Sequence, residues 1–401
     1  MVRTAEAIIG AANIEALRRP IEEARGLPGA AYTSQAFFDL EQERMFRRTW
    51  MCVGFESDIP NPGDAMPIMV GGLPIILLRT QTGEVKAFHN VCRHRAALVL
   101  TESCNNLTQL QCPYHAWTWD LDGKLKATPY FDGTREGDQQ GRFDRDTYGL
   151  VPVRCGVWYH WIFVNLDGNA PSLEAHVRPM ADLLDGHDLG ACRVAHRVNW
   201  AFQANWKLQN DNWETYHHIW VHKGIFNKIS DDLDFKTGEP WMRVLPKDTV
   251  LTLARRPDSP PFMGPPTNLP LIPVPEGKAR FTGTSVIFPN VTMTIAPHHI
   301  ASVITDPIAP DQTIAKMGFF FVGDAADSDA YLADREKVLD RWLGSTRKKG
   351  DLDGIRSQDM DIWETQQIAR QSPVADEVVF SPTWEGNIHH FQNLLIQYLV
   401  D

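Results

Sequence analysis

The sequence predicts an α+β fold in which a small antiparallel β module is inserted in a larger domain built from an antiparallel sheet and flanking helices. Short β-rich runs separated by turn residues fill the stretch from Pro62 to about Asp167. A second group of strand-like runs lies between residues 250 and 322, and the patterns after it are helical. Strands grouped together and helices grouped at the end are typical of the α+β class.

Two helices are predicted before the β module. Residues 5–25 show a helical pattern that ends near Gly26 and Pro28. A second helix is predicted from Thr33 or Ser34 to about Trp50, because its apolar residues form a stripe at helical spacing. The stripe consists of Phe37, Leu40, Met45 and Phe46.

Within the module, the runs at 75–79, 85–89 and 158–166 predict strands, and Gln81-Thr82-Gly83 and Asp122-Gly123 predict turns. After the module, helices are predicted at 171–184 and from Trp206 to about Lys223, followed by a proline-rich loop at 257–275. Further strands are predicted at 250–254, 285–288, 291–295, 301–305 and 315–322, and further helices at 329–343, 358–369 and 387–399.

Charge and cysteine content exclude several classes of protein. The 401 residues include 39 Lys and Arg against 50 Asp and Glu, a net charge of −11 that argues against nucleic acid or an anionic membrane as the main partner. Six cysteines are too few for a secreted disulfide scaffold. We find no signal peptide and no apolar run of about 18 residues, so a cytoplasmic protein is expected.

One cluster of metal-binding residues lies in the β module. Cys92-x-His94 is followed, seventeen residues later, by Cys112-x-x-His115. Two cysteines and two histidines can bind one zinc ion or a two-iron cluster. A zinc finger is the alternative, but its usual order places both cysteines before both histidines. A cluster with two thiolates on one iron and two imidazoles on the other needs one of each from both loops, as found here.

These loops resemble the Rieske box of ring-hydroxylating oxygenase large subunits, including Trp117 and the segment that begins at Asp120. The resemblance implies a [2Fe-2S] cluster held by all four residues. Ala96 and Ala116 stand where the family usually has Gly, so we expect both turns to avoid strongly left-handed geometry. Cys104 matches no ligand position and is interpreted as a small apolar residue.

A second cluster begins near Asn205. A mononuclear iron site that activates dioxygen uses two histidines and one carboxylate. On a regular helix His217 and His222 would lie roughly 140° apart, so they need a break to share a metal. Geometry alone slightly prefers His218 and His222, which meet on an unbroken helix.

The resemblance selects the other pair. Glu214-x-x-His217-x4-His222 resembles the iron motif of the same family, and Asn205-Trp206-Lys207 resembles its lead-in. The gap from Asn205 to Glu214 is one residue shorter than in the commonest form. Which of Asn210, Asp211 and Asn212 replaces the family's asparagine near the iron therefore stays open.

The third ligand is implied by the resemblance of the segment 358–367 to the family's late acidic segment, which makes Asp359 the iron carboxylate. Asp361 is the rival, and Asp351 and Asp353 are weaker candidates. An acidic residue near a helix N-terminus is also favourable through the helix dipole alone.

The resemblance further implies an inserted Rieske domain at 47–168 and a helix-grip catalytic domain formed by residues 1–46 and 169–401. In the family, the carboxylate at Glu214 links a Rieske histidine of one subunit, here His115, to an iron histidine of the next, here His217. This implies a ring of subunits, a homotrimer. The alternative role for Glu214 is to orient His217 within one chain. No nucleotide-binding fingerprint is present, so electrons are expected from a separate NAD(P)H-dependent reductase, with or without a ferredoxin.

For the substrate, the segment that contains Tyr32 and Glu41 and the glutamate at position 214 resemble choline-, betaine- and carnitine-type members, which act on quaternary amines. The alternative is an aromatic acid, whose carboxylate could pair with Arg255 or Arg256. A Rieske electron carrier or a zinc-binding structural protein is the alternative of a different class. A carrier needs only the β module, so the second motif argues against it.

Overall fold

A computed structural model of the chain describes residues 4–137, 144–214, 220–222, 243–244, 250–254, 267–345 and 354–400. The chain divides into two compact units, one formed by residues 42–175 and the other by residues 1–41 and 176–401. The sequence-derived range 47–168 lies inside the first of these units. Within the described ranges, no helix is both long and apolar enough to cross a membrane.

The smaller unit is an antiparallel β structure. One sheet has the strand order β1-β9-β8-β4-β3-β2, and β5, β6 and β7 form a second, short sheet. Its strands are β1 (Met51–Phe55), β2 (Ala65–Val70), β3 (Leu73–Arg79), β4 (Val85–His89), β5 (Leu110–Gln111), β6 (Thr118–Trp119), β7 (Leu125–Ala127), β8 (Pro152–Trp158) and β9 (Trp161–Asn165). The predicted antiparallel module is confirmed.

The core of the smaller unit surrounds the first metal-binding motif. Apolar side chains of β3, β4 and β6 pack with both cysteines of the motif, so the thiols belong to the hydrophobic core. At the predicted turn Asp122-Gly123, Gly123 has φ 83°, and a Cβ atom there would lie 2.5 Å from the Phe88 ring. The turn therefore needs glycine for its conformation and for its packing.

The larger unit contains an antiparallel sheet with the order β10-β16-β15-β14-β13-β12-β11. In the first half of β16, buried Thr313 and Ala315 alternate with less buried neighbours, as expected for a strand with one face on the core, whereas residues 317–321 are all buried. The strands are β10 (Cys192–Phe202), β11 (Arg243–Val244), β12 (Val250–Ala254), β13 (Gly283–Ile287), β14 (Val291–Ile295), β15 (His299–Ala309) and β16 (Gln312–Val322).

Helices flank this sheet at both ends of the sequence. The helix predicted at 5–25 is wrong as a single element, because Gly10 adopts φ 83° and separates two short helices. The predicted stripe from Phe37 to Phe46 is confirmed as buried, and its last turn is a π-helix at Gln42–Phe46. The α-helices are α1 (Ala5–Ile9), α2 (Ala11–Leu17), α3 (Ala30–Thr33), α4 (Gln35–Glu41), α5 (Leu173–Leu184), α6 (Trp206–Asn210), α7 (Leu332–Leu343), α8 (Ile355–Ala369) and α9 (Gly386–Val400).

Candidate metal centres

The two loops that carry the Cys and His pairs have the same hydrogen-bonding pattern. In the first loop, Cys92 N donates to Ala97 O over 2.8 Å, and Ala96 N donates back to Cys92 O over 3.0 Å. In the second loop, residues 112, 116 and 117 form the matching pair of bonds, of 2.9 and 3.1 Å. The loops therefore present their Cys and His side chains from equivalent backbone frames.

Both loops pass through the left-handed region at their alanines, where Ala96 and Ala116 each have φ 57°. The expectation that these turns avoid such geometry is wrong. The closing bonds from the alanine amides to Cys92 O and Cys112 O form with this geometry. Alanine tolerates left-handed backbone at a cost of roughly 1–2 kcal/mol, and the paired loop bonds offset that cost.

The four side chains of the motif converge. The rings of His94 and His115 lie 4.6 Å apart, and His94 stacks on Trp117 at 5.1 Å. Cys92 and Cys112 are 3% and 1% exposed, whereas both imidazoles are half-buried. Burial, reinforced by the neighbouring Cys112 thiol, raises the pKa of Cys92.

The arrangement fits a metal cluster. His94 Nδ1 is buried and has no hydrogen-bond partner among the residues that the structure describes, as expected of a nitrogen that binds a metal. Burial, with the nearby His115 and Arg95 charges, lowers the pKa of His94 and so favours the neutral, ligating form. Two thiols inside and two imidazoles toward solvent suit a cluster with unlike irons, in which each iron takes two of the four donors. Cys104 forms backbone hydrogen bonds with Ala65 and packs against the core, as expected of a small apolar residue.

The second site begins at α6. Asn205 caps this helix by accepting a bond from Lys207 N, and it also donates to Tyr32 O and Pro310 O. The helix ends at Asn210, and residues 211–214 are not helical, so the predicted helix from Trp206 to Lys223 is wrong in its described part. The side chains at 210–212 are engaged in tertiary bonds, which compete with continuation of the helix. His217 and His218 lie outside the described residues.

A buried ion pair anchors α6. Lys207 Nζ lies 2.7 Å from Glu41 Oε1, both side chains are 0% exposed, and Trp206 Nε1 donates to the other Glu41 oxygen. Burial lowers the pKa of Lys207 and raises that of Glu41, while each partner opposes the shift of the other. This pair was not predicted from the sequence, because two charged residues 166 positions apart show no local pattern.

His222 and Asp359 are brought together from distant parts of the sequence. His222 Nε2 lies 3.3 Å from Asp359 Oδ1, and the imidazole is fully buried. Its Nδ1–H donates to Gln358 Oε1 over 3.0 Å, which directs the Nε2 lone pair toward the carboxylate. Two electron-rich atoms facing each other require a proton or a cation between them, so the pair fits a metal. Burial alone lowers the pKa of His222, but Asp359, Gln358 and Glu214 together raise it.

The structure also separates the three candidates at 210–212. Asn212 Nδ2 donates to Asp359 Oδ1 over 3.2 Å, so it is the member of the three beside the iron carboxylate candidate. Asp211 accepts bonds from the Tyr32 hydroxyl and from Gln392 Nε2. Asn210 donates to Pro289 O.

The remaining carboxylates differ in position. Glu214 is 6% exposed and close enough to His222 to raise its pKa. Asp361 follows Asp359 by two positions on α8, so it projects from a different face of the helix. Asp351 and Asp353 lie outside the described residues, as do Arg255 and Arg256. Within the described ranges, no three His, Cys, Asp or Glu side chains are arranged to hold one ion.

A cavity of about 100 Å³ adjoins this pair within the larger unit. Asp359 and Asn212 form part of its wall, and the sheet contributes threonine and apolar side chains from β13 to β16. Arg356, one helical turn before Asp359, also lines it. No role was predicted from the sequence for Arg356, Gln358 or Gln209, although the first two lie within three residues of the predicted ligand Asp359.

Comparison with known families gives two matches. Residues 189–400, more than half of the chain, match the ring hydroxylating alpha subunit (catalytic domain), and residues 49–137 match the Rieske [2Fe-2S] domain. The zinc reading of the first site is not supported by this match.

Individual relatives are similar in sequence or in fold. The glycine betaine monooxygenase oxygenase subunit of Chromohalobacter salexigens is 34% identical over 222 residues, which are 55% of this chain and about half (48%) of the relative's length. The carnitine monooxygenase oxygenase subunit of Escherichia coli K12 is 28% identical over 389 residues, 95% of each chain. The structure of a quaternary ammonium Rieske monooxygenase, described with carnitine oxidation and inter-subunit electron transfer, superposes with a TM-score of 0.71 at 22% identity, covering 94% of this chain and 96% of that one.

Proposed function

Since the chain belongs to the ring hydroxylating alpha subunit family and also carries a Rieske [2Fe-2S] domain, we propose that it is an oxygenase catalytic subunit that uses dioxygen to hydroxylate or oxidatively demethylate a small quaternary amine. The observation that carries the proposal is the buried His222–Asp359 pair beside a cavity. An electron carrier has no use for such a site.

The proposed metal ligands follow from the two motifs. The cluster ligands are Cys92, His94, Cys112 and His115. The ligands of the mononuclear iron are His217, His222 and Asp359. When bound, these groups supply electron transfer and the activation of dioxygen.

Residues around the second site prepare it for this chemistry. Gln358 fixes the tautomer and orientation of His222, and Asn212 holds one oxygen of Asp359. The threonine and apolar wall of the cavity limits the access of water to the reacting atoms. A substrate held there would lie next to the iron ligands.

The substrate class is inferred from the relatives, which are named for glycine betaine and carnitine. Oxidation of an N-methyl group inserts one oxygen atom into a C–H bond, while electrons and protons reduce the other oxygen atom to water. The resulting N-hydroxymethyl group breaks down to formaldehyde and a tertiary amine. An aromatic acid, hydroxylated on its ring, is the alternative substrate.

The proposal includes the partners of the chain. Electrons come from a separate NAD(P)H-dependent reductase, with or without a ferredoxin. The assembly is a cytoplasmic homotrimer in which Glu214 links His115 of a neighbouring copy to His217. The Rieske domain is assigned to residues 47–168, and residues 1–46 and 169–401 form the catalytic domain.

Metal analysis and turnover test the proposal. The purified protein should contain about three irons and two acid-labile sulfides per chain, and it should show a Rieske signal by electron paramagnetic resonance after reduction. With a reductase, glycine betaine or carnitine should stimulate oxygen uptake and release formaldehyde. Zinc at full occupancy would contradict the iron sites, iron and sulfide without oxygen uptake would indicate a carrier, and uptake with aromatic acids alone would indicate the alternative substrate.

A further inference from the structure

One face of α8 forms part of the cavity wall. Arg356, Asp359 and Trp363 all line the cavity, and their spacing of three and four residues places them on the same side of the helix. The guanidinium at the start of this face and the carboxylate proposed to bind iron therefore lie one helical turn apart. A ligand that contacts Arg356 would place its other end beside Asp359.

The wall contains an excess of hydrogen-bond donors. Four of its buried N–H groups have no hydrogen-bond partner among the residues that the structure describes. They are Gln209 Nε2, Trp342 Nε1, Arg356 Nε and Trp363 Nε1. Among the same described residues, every buried side-chain oxygen of a residue that lines the cavity has a hydrogen-bond partner.

Such donors are unusual, because buried polar groups in folded proteins nearly always have a partner. Leaving them unpaired costs free energy that a ligand with acceptor atoms would recover. Four donors and no matching acceptor indicate a ligand that only accepts hydrogen bonds. A carboxylate has this property, and its two oxygens offer several lone pairs.

The guanidinium is held as a binding group would be. Arg356 is 7% exposed, its Nη2 donates to Gln209 Oε1 over 2.7 Å, and its charge lies 4.6 Å from the centre of the Trp363 ring. These contacts fix the orientation of the Arg356 guanidinium. The bond to Gln209 Oε1 leaves the Gln209 amide hydrogens available to a ligand. Burial lowers the pKa of Arg356 to about 10, which keeps it charged at neutral pH.

We propose that Arg356, Gln209 and Trp342 bind the carboxylate of the substrate and thereby direct its oxidised end toward Asp359. This inference rests on the proposed function and narrows it, because it favours carboxylated amines over choline-like alcohols. Glycine betaine, carnitine and aromatic acids share the carboxylate, so the cluster alone does not choose among them.

The test measures binding without turnover. Metal-loaded protein is titrated with glycine betaine, L-carnitine, benzoate and choline by calorimetry in the absence of oxygen. The wild type should bind at least one of the three carboxylates more tightly than choline. Arg356→Gln should weaken that binding about 10- to 100-fold, because it removes a charged hydrogen-bonding group, and should leave choline unchanged.

Arg335→Gln is the matched control. This arginine is equally buried on α7, but it donates to Ala325 O and Ser328 O and is not among the residues that line the cavity. Its loss should lower stability without changing affinity for carboxylates. Should Arg356→Gln fail to fold or to load iron, Trp342→Phe removes a single donor and should weaken the same carboxylates by a smaller factor.

Unchanged carboxylate affinity in the folded Arg356→Gln and Trp342→Phe proteins would overturn the inference, as would tighter binding of choline by the wild type. The proposed function fails separately, through absence of iron or of oxygen uptake. If the protein binds carboxylates through Arg356 but oxidises nothing, the proposed function is wrong and the carboxylate site stands. If the protein demethylates choline independently of Arg356, the proposed function stands and the carboxylate site is wrong.

Discussion

His222 Nε2 lies 3.3 Å from Asp359 Oδ1, although 137 positions separate the two residues in the sequence. The contact is buried, and both groups have a second partner: Gln358 for the imidazole and Asn212 for the carboxylate. A histidine and an aspartate held in this way form two of the three ligands that the proposed iron site requires.

Replacing Asp359 with Asn should abolish turnover and greatly reduce iron at the second site, because the amide removes the negative charge while keeping the shape. The Rieske spectrum should be unchanged. Asp361→Asn is the control, since Asp361 projects from another face of α8. Metal content, the Rieske signal and oxygen uptake distinguish the two variants, and equal iron loading with full activity in Asp359→Asn would show that Asp359 is not a ligand.

His217→Ala should lose iron and activity, and His218→Ala should keep both. The contrary pair, His218 with His222, depends on an unbroken helix, and the described residues 220–222 at its end are not helical. Iron analysis of both variants beside the wild type gives the answer. Loss of iron in His218→Ala alone would show that the family motif was transferred to the wrong histidine.

Glu214→Gln should retain both metals and a reducible cluster but lose most product formation, because the neutral amide no longer stabilises charge on the neighbouring imidazoles. Mixing a His115→Ala protein with a His217→Ala protein and allowing subunits to exchange tests whether electrons pass from the cluster of one chain to the iron of the next. Activity should return, since some interfaces then join an intact cluster to an intact iron site. Exchange verified by mass without activity would restrict Glu214 to a role within one chain.

Lys207→Met should destabilise the larger unit by about 3–5 kcal/mol, because it leaves the buried Glu41 carboxylate without its partner. The double variant Glu41→Gln/Lys207→Met should lose less, since the glutamine is neutral and can still accept the bond from Trp206 Nε1. Chemical unfolding followed by circular dichroism measures both. A double variant less stable than Lys207→Met would contradict the assigned cost of the unpaired charge.

Acid should destabilise the protein partly through His299. Burial, with the neighbouring His298 and Arg341 charges, holds the pKa of His299 well below its usual value. The unfolded chain therefore binds a proton below about pH 6.5 where the folded protein does not, so the stability that His299 contributes is present above that pH and is lost as the pH falls. The melting temperature of His299→Asn should fall less steeply between pH 7 and pH 5 than that of the wild type. Parallel profiles would contradict this assignment.

The sequence offers candidate ligands where they form a local pattern, and it offers less where the structure depends on distant contacts. Cys92, His94, Cys112 and His115 form a local pattern with a chemical meaning, so the sequence alone is enough to propose them as ligands. Strand β10 was missed, because Arg193 and Arg197 interrupt its apolar pattern. The pairing of that strand with β16 is a tertiary effect that outweighs local pattern.

The backbone of the two ligand loops was predicted wrongly for a related reason. A rule about single residues disfavours alanine at positive φ, but the hydrogen bonds of Cys92 N to Ala97 O and of Ala96 N to Cys92 O determine the conformation of the whole loop. The donor cluster around Arg356 could not be predicted from the sequence either, because Gln209 and Trp342 come from separate helices. Only the folded chain brings their N–H groups to one cavity.

The division of the chain into two units has a consequence for the order in which they fold during synthesis. The larger unit joins residues from the two ends of the chain: Leu27 N donates to Gln392 Oε1, and Gly26 N donates to Val378 O. A nascent chain cannot make these bonds until residue 392 has left the ribosome. The inserted unit is contiguous from residue 42 to residue 175, so its strands meet their partners far earlier. Translation therefore favours folding of the inserted unit first, because residues 1–41 cannot complete their contacts until α9 has been synthesised.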